Sequence, residues 1–431
     1  MLKEREQYLN AQNAIRRNLL RAKIGWKKIR SSRLRLVGLL AICVALIIAI
    51  LCCNAYEDEG VAVIPGLWCL AIYVSSPILI MGYIILIGTP WGADLVSDNL
   101  HRAGIINEVD EPPILLEKLC DSGNDNVNIL VFQAVGIPLD LWMDKQLAVE
   151  SALNAYIVRV QEGKERNNVL LHTVNSEGAF PDIVRWHERY LSDRDGVLTL
   201  GVTVAGTAVT VDLSNTPHVL IGGSSGSGKS VLMGLMLFQT IKKKMVLYIA
   251  DFKGGLDYNG EPWKDRCSLI TSVDEVIVVL DDLVAELECR KKLFYDAGCK
   301  NIAMYNNHTG APLPRIVFGC DEIAELTDKS GISDKDMKTK IDHIIGRMST
   351  IARQGRALGI HLILATQRPD ANVLPGQIKN NIDFRACGRA DNTLAMIILD
   401  NADAADKLPK DGHRFMLADG TIFLPYYWGD E

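Results

Sequence analysis

Residues 218–241 read HVLIGGSSGSGKSVLMGLMLFQTI: a short apolar run, a turn of small residues, then an apolar stretch at helical spacing. Within it GSSGSGKS (Gly223 to Ser230) satisfies G-x-x-x-x-G-K-[ST] at every position, between the strand and helix that the motif requires. The small residues let backbone N–H groups curl around an anion, and the following helix N-terminus adds a favourable dipole. Gly223, Ser224, Ser225, Gly226, Ser227, Gly228, Lys229 and Ser230 are therefore expected to cradle the phosphates of ATP. Lys229 would contact the β- and γ-phosphates and the Ser230 hydroxyl would help hold Mg²⁺.

Three further apolar runs follow: MVLYIADF (245–252), RIVFGCDE (315–322) and HLILATQ (361–367). Separated by helical stretches, the four runs predict an α/β fold, a parallel sheet with helices on both faces. RIVFGCDE ends in adjacent carboxylates about 90 residues after the phosphate loop. Asp321 is placed to bind the Mg²⁺ shell, and Glu322 to orient or deprotonate an attacking water. Gln367, at the end of the third run, is a candidate contact for the γ-phosphate or that water.

Before residue 200 the chain changes character. Leu36 to Tyr56 contains no charged residue, and a second uncharged run lies between Glu59 and Asp94. Each is close to the roughly 20 residues that span a bilayer core, which predicts two transmembrane helices at about 36–56 and 67–88. The first 35 residues carry eleven Lys/Arg against Glu4 and Glu6, whereas the loop between the spans holds Glu57, Asp58 and Glu59. The positive-inside rule then puts both termini in the cytoplasm, in a multi-pass cell-membrane protein. A cleaved signal peptide would leave the second span unexplained.

The basic leader is most simply an orientation signal that also touches anionic lipid. Between the spans and the sheet, NILVFQAVGIP and VLLHTV read as strands, and Asp144 to Gln161 has the spacing of one amphipathic helix. The expected layout is a basic segment 1–35, a transmembrane hairpin 36–93, a small α/β domain 94–200 and a nucleotide-binding domain 201–431. Net charge over the 431 residues is −6, so positive charge beyond the leader is local. The ten scattered cysteines include no CxxC pair and indicate neither a zinc site nor a disulfide framework.

Four segments together resemble the FtsK/SpoIIIE family of DNA-translocating ATPases: NTPHVLIGGSSGSGKSV, ADFKGG with Phe252 where the family has proline, ECRKKLFYDAGCKNIAMYN, and RALGIHLILATQRPDANVLPGQIKNNIDFR. The resemblance runs from about Trp142 onward. It implies a RecA-like motor assembled as a homo-hexameric ring, with ATP between subunits and DNA in the channel. It nominates Arg356, with Arg353 as competitor, as the arginine offered to a neighbour's nucleotide, and Arg368, Lys379 and Arg389 as DNA contacts.

The expectation is that the protein lacks the winged-helix module that reads oriented chromosomal sequences and has two spans before the motor. Short members of this form resemble the coupling ATPases of conjugative plasmids and integrative elements, which deliver single- or double-stranded DNA to a transfer channel alongside relaxase complex and channel proteins. The alternatives are a chromosome-type double-stranded DNA translocase in division or sporulation, a protein-secretion ATPase, which usually carries several ATPase modules, and a non-hydrolysing membrane docking receptor, which would not need Lys229, Asp321 and Glu322.

Overall fold

The computed structural model describes residues 2–58, 63–176, 180–310, 312–368, 374–409 and 412–429, and divides into Met1–Ala179 and Phe180–Glu431.

The first unit begins with three helices, α1 (Leu2–Ser31), α2 (Arg33–Asp58) and α3 (Val63–Gly88). Arg33–Cys52 and Leu70–Gly88 are long and apolar enough to cross a membrane, with mean hydropathy 2.9 and 2.2, and almost none of either segment is buried against protein. The basic leader is not a loose tail. It forms α1, which packs on α3 at a glycine pair: a Cβ on Gly25 would lie 1.9 Å from the Ile84 carbonyl oxygen, and one on Gly88 1.9 Å from that of Arg21. Part of the leader's charge is paired within this unit, Arg21 with Asp94 at 2.6 Å and Lys28 with Glu117 at 3.9 Å.

The small domain after α3 consists of α4 (Ala93–Arg102), β1 (Ile114–Cys120), β2 (Asn128–Gln133), α5 (Leu139–Asp144), α6 (Gln146–Leu153), β3 (Ala155–Glu162) and β4 (Asn168–Asn175). Its antiparallel sheet has the order β1-β2-β4-β3 over a core that includes Leu115, Phe132, Trp142 and Leu171. The single helix expected over 144–161 is instead α6 followed by β3. Asn154 takes a left-handed conformation (φ 48°) that stops the helix, and the next residues, AYIVRVQE, are rich in β-branched and aromatic side chains.

The second unit starts at residue 180, not at 201. β5 (Val184–Arg185), β6 (Val197–Thr203) and β7 (Ala208–Asp212) belong to it, because β6 pairs antiparallel with β15 (Ile422–Tyr427) and with β7. The other strands are β8 (Val219–Gly222), β9 (Val246–Ala250), β10 (Ser268–Ile270), β11 (Ile316–Cys320), β12 (Ile360–Thr366), β13 (Phe384–Cys387) and β14 (Phe415–Leu417). The helices are α7 (Lys229–Lys242), α8 (Val273–Asp296), α9 (Ile302–Thr309), α10 (Ala324–Thr327), α11 (Lys335–Leu358), α12 (Gly376–Lys379), α13 (Asn392–Leu399) and α14 (Asp403–Lys407).

The sheet order is β10-β9-β11-β12-β8-β13-β14-β15-β6-β7, parallel from β10 to β13 and antiparallel beyond, with β5 on β15. Side chains alternate across the parallel strands, so Leu220, Phe318, Leu362 and Leu364 face α8 and α11, while Val219, Ile221, Val317 and Ile363 face α7. Both faces are covered by helices, which leaves the carboxyl ends of β8, β9, β11 and β12 as the edge where side chains can meet a ligand.

Candidate nucleotide site

The phosphate loop leaves β8 and enters α7 through Gly228, whose φ of 91° a side chain would oppose. Two bonds hold the loop from the β13 side: Ser224 N–H donates to the Arg389 carbonyl (2.8 Å), and Arg389 Nη2 donates to the Ser225 carbonyl (2.8 Å). The Ser227 hydroxyl oxygen is buried without a partner among the described residues.

The strand register brings the acids to this loop. Cys320 lies opposite Ala250 of β9 and Leu364 of β12, and Thr366 opposite Gly222 of β8. The residues just past Cys320 therefore stand level with the phosphate loop. Asp321 is 2% exposed, and Lys229 Nζ donates to its carbonyl at 2.7 Å and to its Oδ1 at 3.3 Å. Ser230 Oγ lies 3.2 Å from the same Oδ1, and Lys253 Nζ 2.7 Å from Oδ2. Burial alone would raise the Asp321 carboxyl, but the Lys229 charge and the bond and charge of Lys253 hold it below the ordinary carboxylate value. The Lys253 ammonium is correspondingly pushed up by its bond to Asp321.

Asp321 is thus an anion at every physiological pH, and its oxygen beside the Ser230 hydroxyl is the all-oxygen donor pair that suits Mg²⁺ with its remaining waters.

Glu322 is held separately. Its Oε1 accepts from Thr366 Oγ1 (2.7 Å) and the Ala324 N–H (3.3 Å), and its Oε2 from the Gln367 N–H (3.1 Å). The carboxylate is oriented by three donors yet lines a cavity of about 180 Å³ with Asp251, Lys253, Asp321 and Gln367. A carboxylate held in this way can accept a hydrogen bond from a water in that cavity.

Arg368 also lines this cavity, whereas the candidate arginines of α11 do not. Arg356 is exposed near the end of α11, and its Nε donates to the Ser214 carbonyl at 3.2 Å. It precedes the seven-residue β12, so a strand length of about 20 Å separates it from its own phosphate loop. Arg353, one helical turn before Arg356, is likewise exposed. Arg368 pairs with Glu325 (3.0 Å) and Asp328 (2.9 Å), and Lys379 with Asp400 (2.5 Å). Arg389, expected at DNA, is joined to the phosphate loop through both its side chain and its carbonyl.

Sequence reading missed Thr366 and Lys253 as parts of the site. Lys253 stood only inside ADFKGG; the signal for each is its place at the carboxyl end of a strand that reaches the phosphate edge, Thr366 as the last residue of β12 and Lys253 three residues past the end of β9.

A family model described as FtsK/SpoIIIE matches residues 184–371. DNA translocase FtsK of Campylobacter jejuni subsp. jejuni serotype O:23/36 (strain 81-176) is 35% identical over 235 residues, 52% of this chain and 24% of that protein. A solved structure of the pCW3 conjugation coupling protein TcpA, in monomer form with ATPγS, is 34% identical with a TM-score of 0.59, covering 78% of this chain and 95% of that one. The chain belongs to the FtsK/SpoIIIE family.

DNA translocase SpoIIIE of Bacillus subtilis (strain 168) is 28% identical over 313 residues, 68% of this chain. The chain spans 24% and 38% of the lengths of these two curated FtsK/SpoIIIE relatives.

Proposed function

We propose that this FtsK/SpoIIIE protein is a membrane-anchored, ATP-driven DNA translocase that acts as a coupling protein, delivering DNA to a conjugative transfer channel. The observation that carries the motor reading is the meeting of Lys229, Ser230 and Asp321 within 3.3 Å, beside a separately oriented Glu322. The conjugative reading is supported by the likeness to TcpA over 95% of that chain.

In this account the loop N–H groups and Lys229 bind the phosphates of ATP. Ser230 and Asp321 would hold Mg²⁺, which would supply charge neutralisation for the phosphates. Glu322, aimed by Thr366 and the Gln367 N–H, orients the attacking water and accepts its proton. Arg356 is too far from its own loop to act there, so its guanidinium serves a neighbour's nucleotide, which makes turnover depend on a homo-hexameric ring. Arg368 and Lys379 grip the DNA backbone by exchanging their carboxylate partners for phosphates. The two apolar helices anchor the ring, with both termini and the motor in the cytoplasm.

Translocation is tested by ATP-dependent displacement of a third strand from a duplex, and of streptavidin from biotinylated single strands. Displacement of either one supports a motor and identifies the substrate; displacement of neither overturns it. The conjugative role is tested by deleting the gene in a donor cell and counting transfer of the mobile element, which should fall to background; undiminished transfer overturns that role alone.

A further inference from the structure

Lys253 has no role in the proposed function, yet it makes the shortest contact to the Asp321 carboxylate, with Nζ 2.7 Å from Oδ2. Its backbone is fixed: the Lys253 N–H donates to Asp251 Oδ1 at 2.9 Å, directly after β9. Its side chain is not enclosed, being 52% exposed where that of Asp321 is 3% exposed. It shares the cavity with Glu322 and Gln367, and it approaches from β9, on the side of β11 away from the phosphate loop. The other oxygen of Asp251, Oδ2, is buried in a residue 2% exposed and has no hydrogen-bond partner among the described residues, although the residue lines the same cavity.

Two ammonium groups, Lys229 and Lys253, thus converge on one carboxylate. A divalent cation placed between Ser230 and Asp321 would use the same carboxylate and repel both ammoniums. Lys229 has an alternative partner in the β-phosphate. Lys253 lines the cavity with the carboxylates of Asp251, Glu322 and Glu325, and a terminal phosphate entering there would bring a higher charge than any one of them.

We propose that Lys253 is a γ-phosphate-sensing residue: its ammonium neutralises Asp321 in the arrangement seen here and transfers to the terminal phosphate of a bound nucleoside triphosphate, with Asp251 holding its backbone in place. A diphosphate offers no such group. Lys253 therefore distinguishes triphosphate from diphosphate and links β9 to the state of the nucleotide. This rests on the nucleotide-binding role proposed above.

The test measures binding of Mg·ATPγS and Mg·ADP by the full chain in detergent, for wild type and Lys253→Met. The expected result is that Lys253→Met weakens Mg·ATPγS binding at least about tenfold while Mg·ADP binding changes little, because one charge-assisted hydrogen bond is lost only with the triphosphate. Unchanged Mg·ADP affinity also shows that the variant is folded. An unaltered ratio of the two affinities, or equal weakening of both, overturns the proposal, since a lysine that only balances Asp321 affects both ligands alike. Failure of the wild type itself to bind Mg·ATPγS overturns the nucleotide reading instead.

Discussion

Glu322 is aimed by a neighbour, and Thr366 is the part of that support a substitution can remove without touching the reacting groups. Its hydroxyl donates to Glu322 Oε1 at 2.7 Å from a fully buried position. Thr366→Val keeps the shape and deletes the donor, leaving Oε1 with the longer 3.3 Å contact from the Ala324 N–H. The expected outcome is a fall in kcat of roughly tenfold with KM unchanged, because orientation of the water is disturbed while phosphate binding is not. Steady-state ATPase assays check this, and a change confined to KM would contradict it.

At the level of elements, the amino ends of the parallel strands are tied together by two buried histidines. His218 Nε2 donates to the Ala352 carbonyl (3.1 Å) and its Nδ1 accepts from the Leu362 N–H (3.0 Å), so the neutral ring joins β8 to α11 and β12. His361 Nδ1 donates to the Pro217 carbonyl (3.0 Å), and its Nε2 accepts from Arg315. Burial pushes His218 down to about 4 from 6.5, and burial with the Arg315 charge pushes His361 well down.

A depressed folded value means that the stability due to a neutral ring is complete above pH 6.5 and is lost as pH falls toward 4. For His218 alone the loss at pH 4 is about 3 kcal/mol. His218→Gln is expected to unfold with a flatter pH dependence than wild type between pH 7 and 4, followed in denaturant through the buried Trp263; identical slopes would contradict the assignment.

These ties also show what was legible beforehand. The loop at 223–230 and the acids at 321–322 could be read because each lies in a local strand-to-turn pattern whose chemistry needs those residue types at that spacing. Asn154 was not read as a helix stop because the apolar spacing continues across it, and a single left-handed residue leaves no periodic trace. The placement of β6 in the large sheet, which moved the boundary to 179/180, depends on pairing with β15 more than 200 residues away. The engagement of Arg389 by the phosphate loop is tertiary in the same sense.

Across the whole molecule, the leader and the motor each carry a claim. The close approach of Gly25 and Gly88 within the first unit leaves no room for a side chain. Gly88→Val is expected to displace α1 from α3 and to destabilise the helical hairpin by about 1–3 kcal/mol, read as a lower melting temperature in detergent; an unaltered melt would contradict the packing. Assembly is tested by mixing two inactive variants, Glu322→Gln and Arg356→Ala. If the arginine acts across the interface, mixed rings regain about a quarter of the sites, because one ordering of neighbours restores both groups. No recovery would place catalysis within one protomer.

The central claim, that the cleft of Lys229, Asp321 and Glu322 spends ATP to move DNA, is met most directly by ATP turnover of the full chain with and without DNA, beside Glu322→Gln. The expected result is turnover that DNA stimulates, reduced at least about a hundredfold by Glu322→Gln while Mg·ATPγS binding is retained. Turnover unaffected by the substitution, or no turnover by the wild-type protein with any DNA, would contradict it.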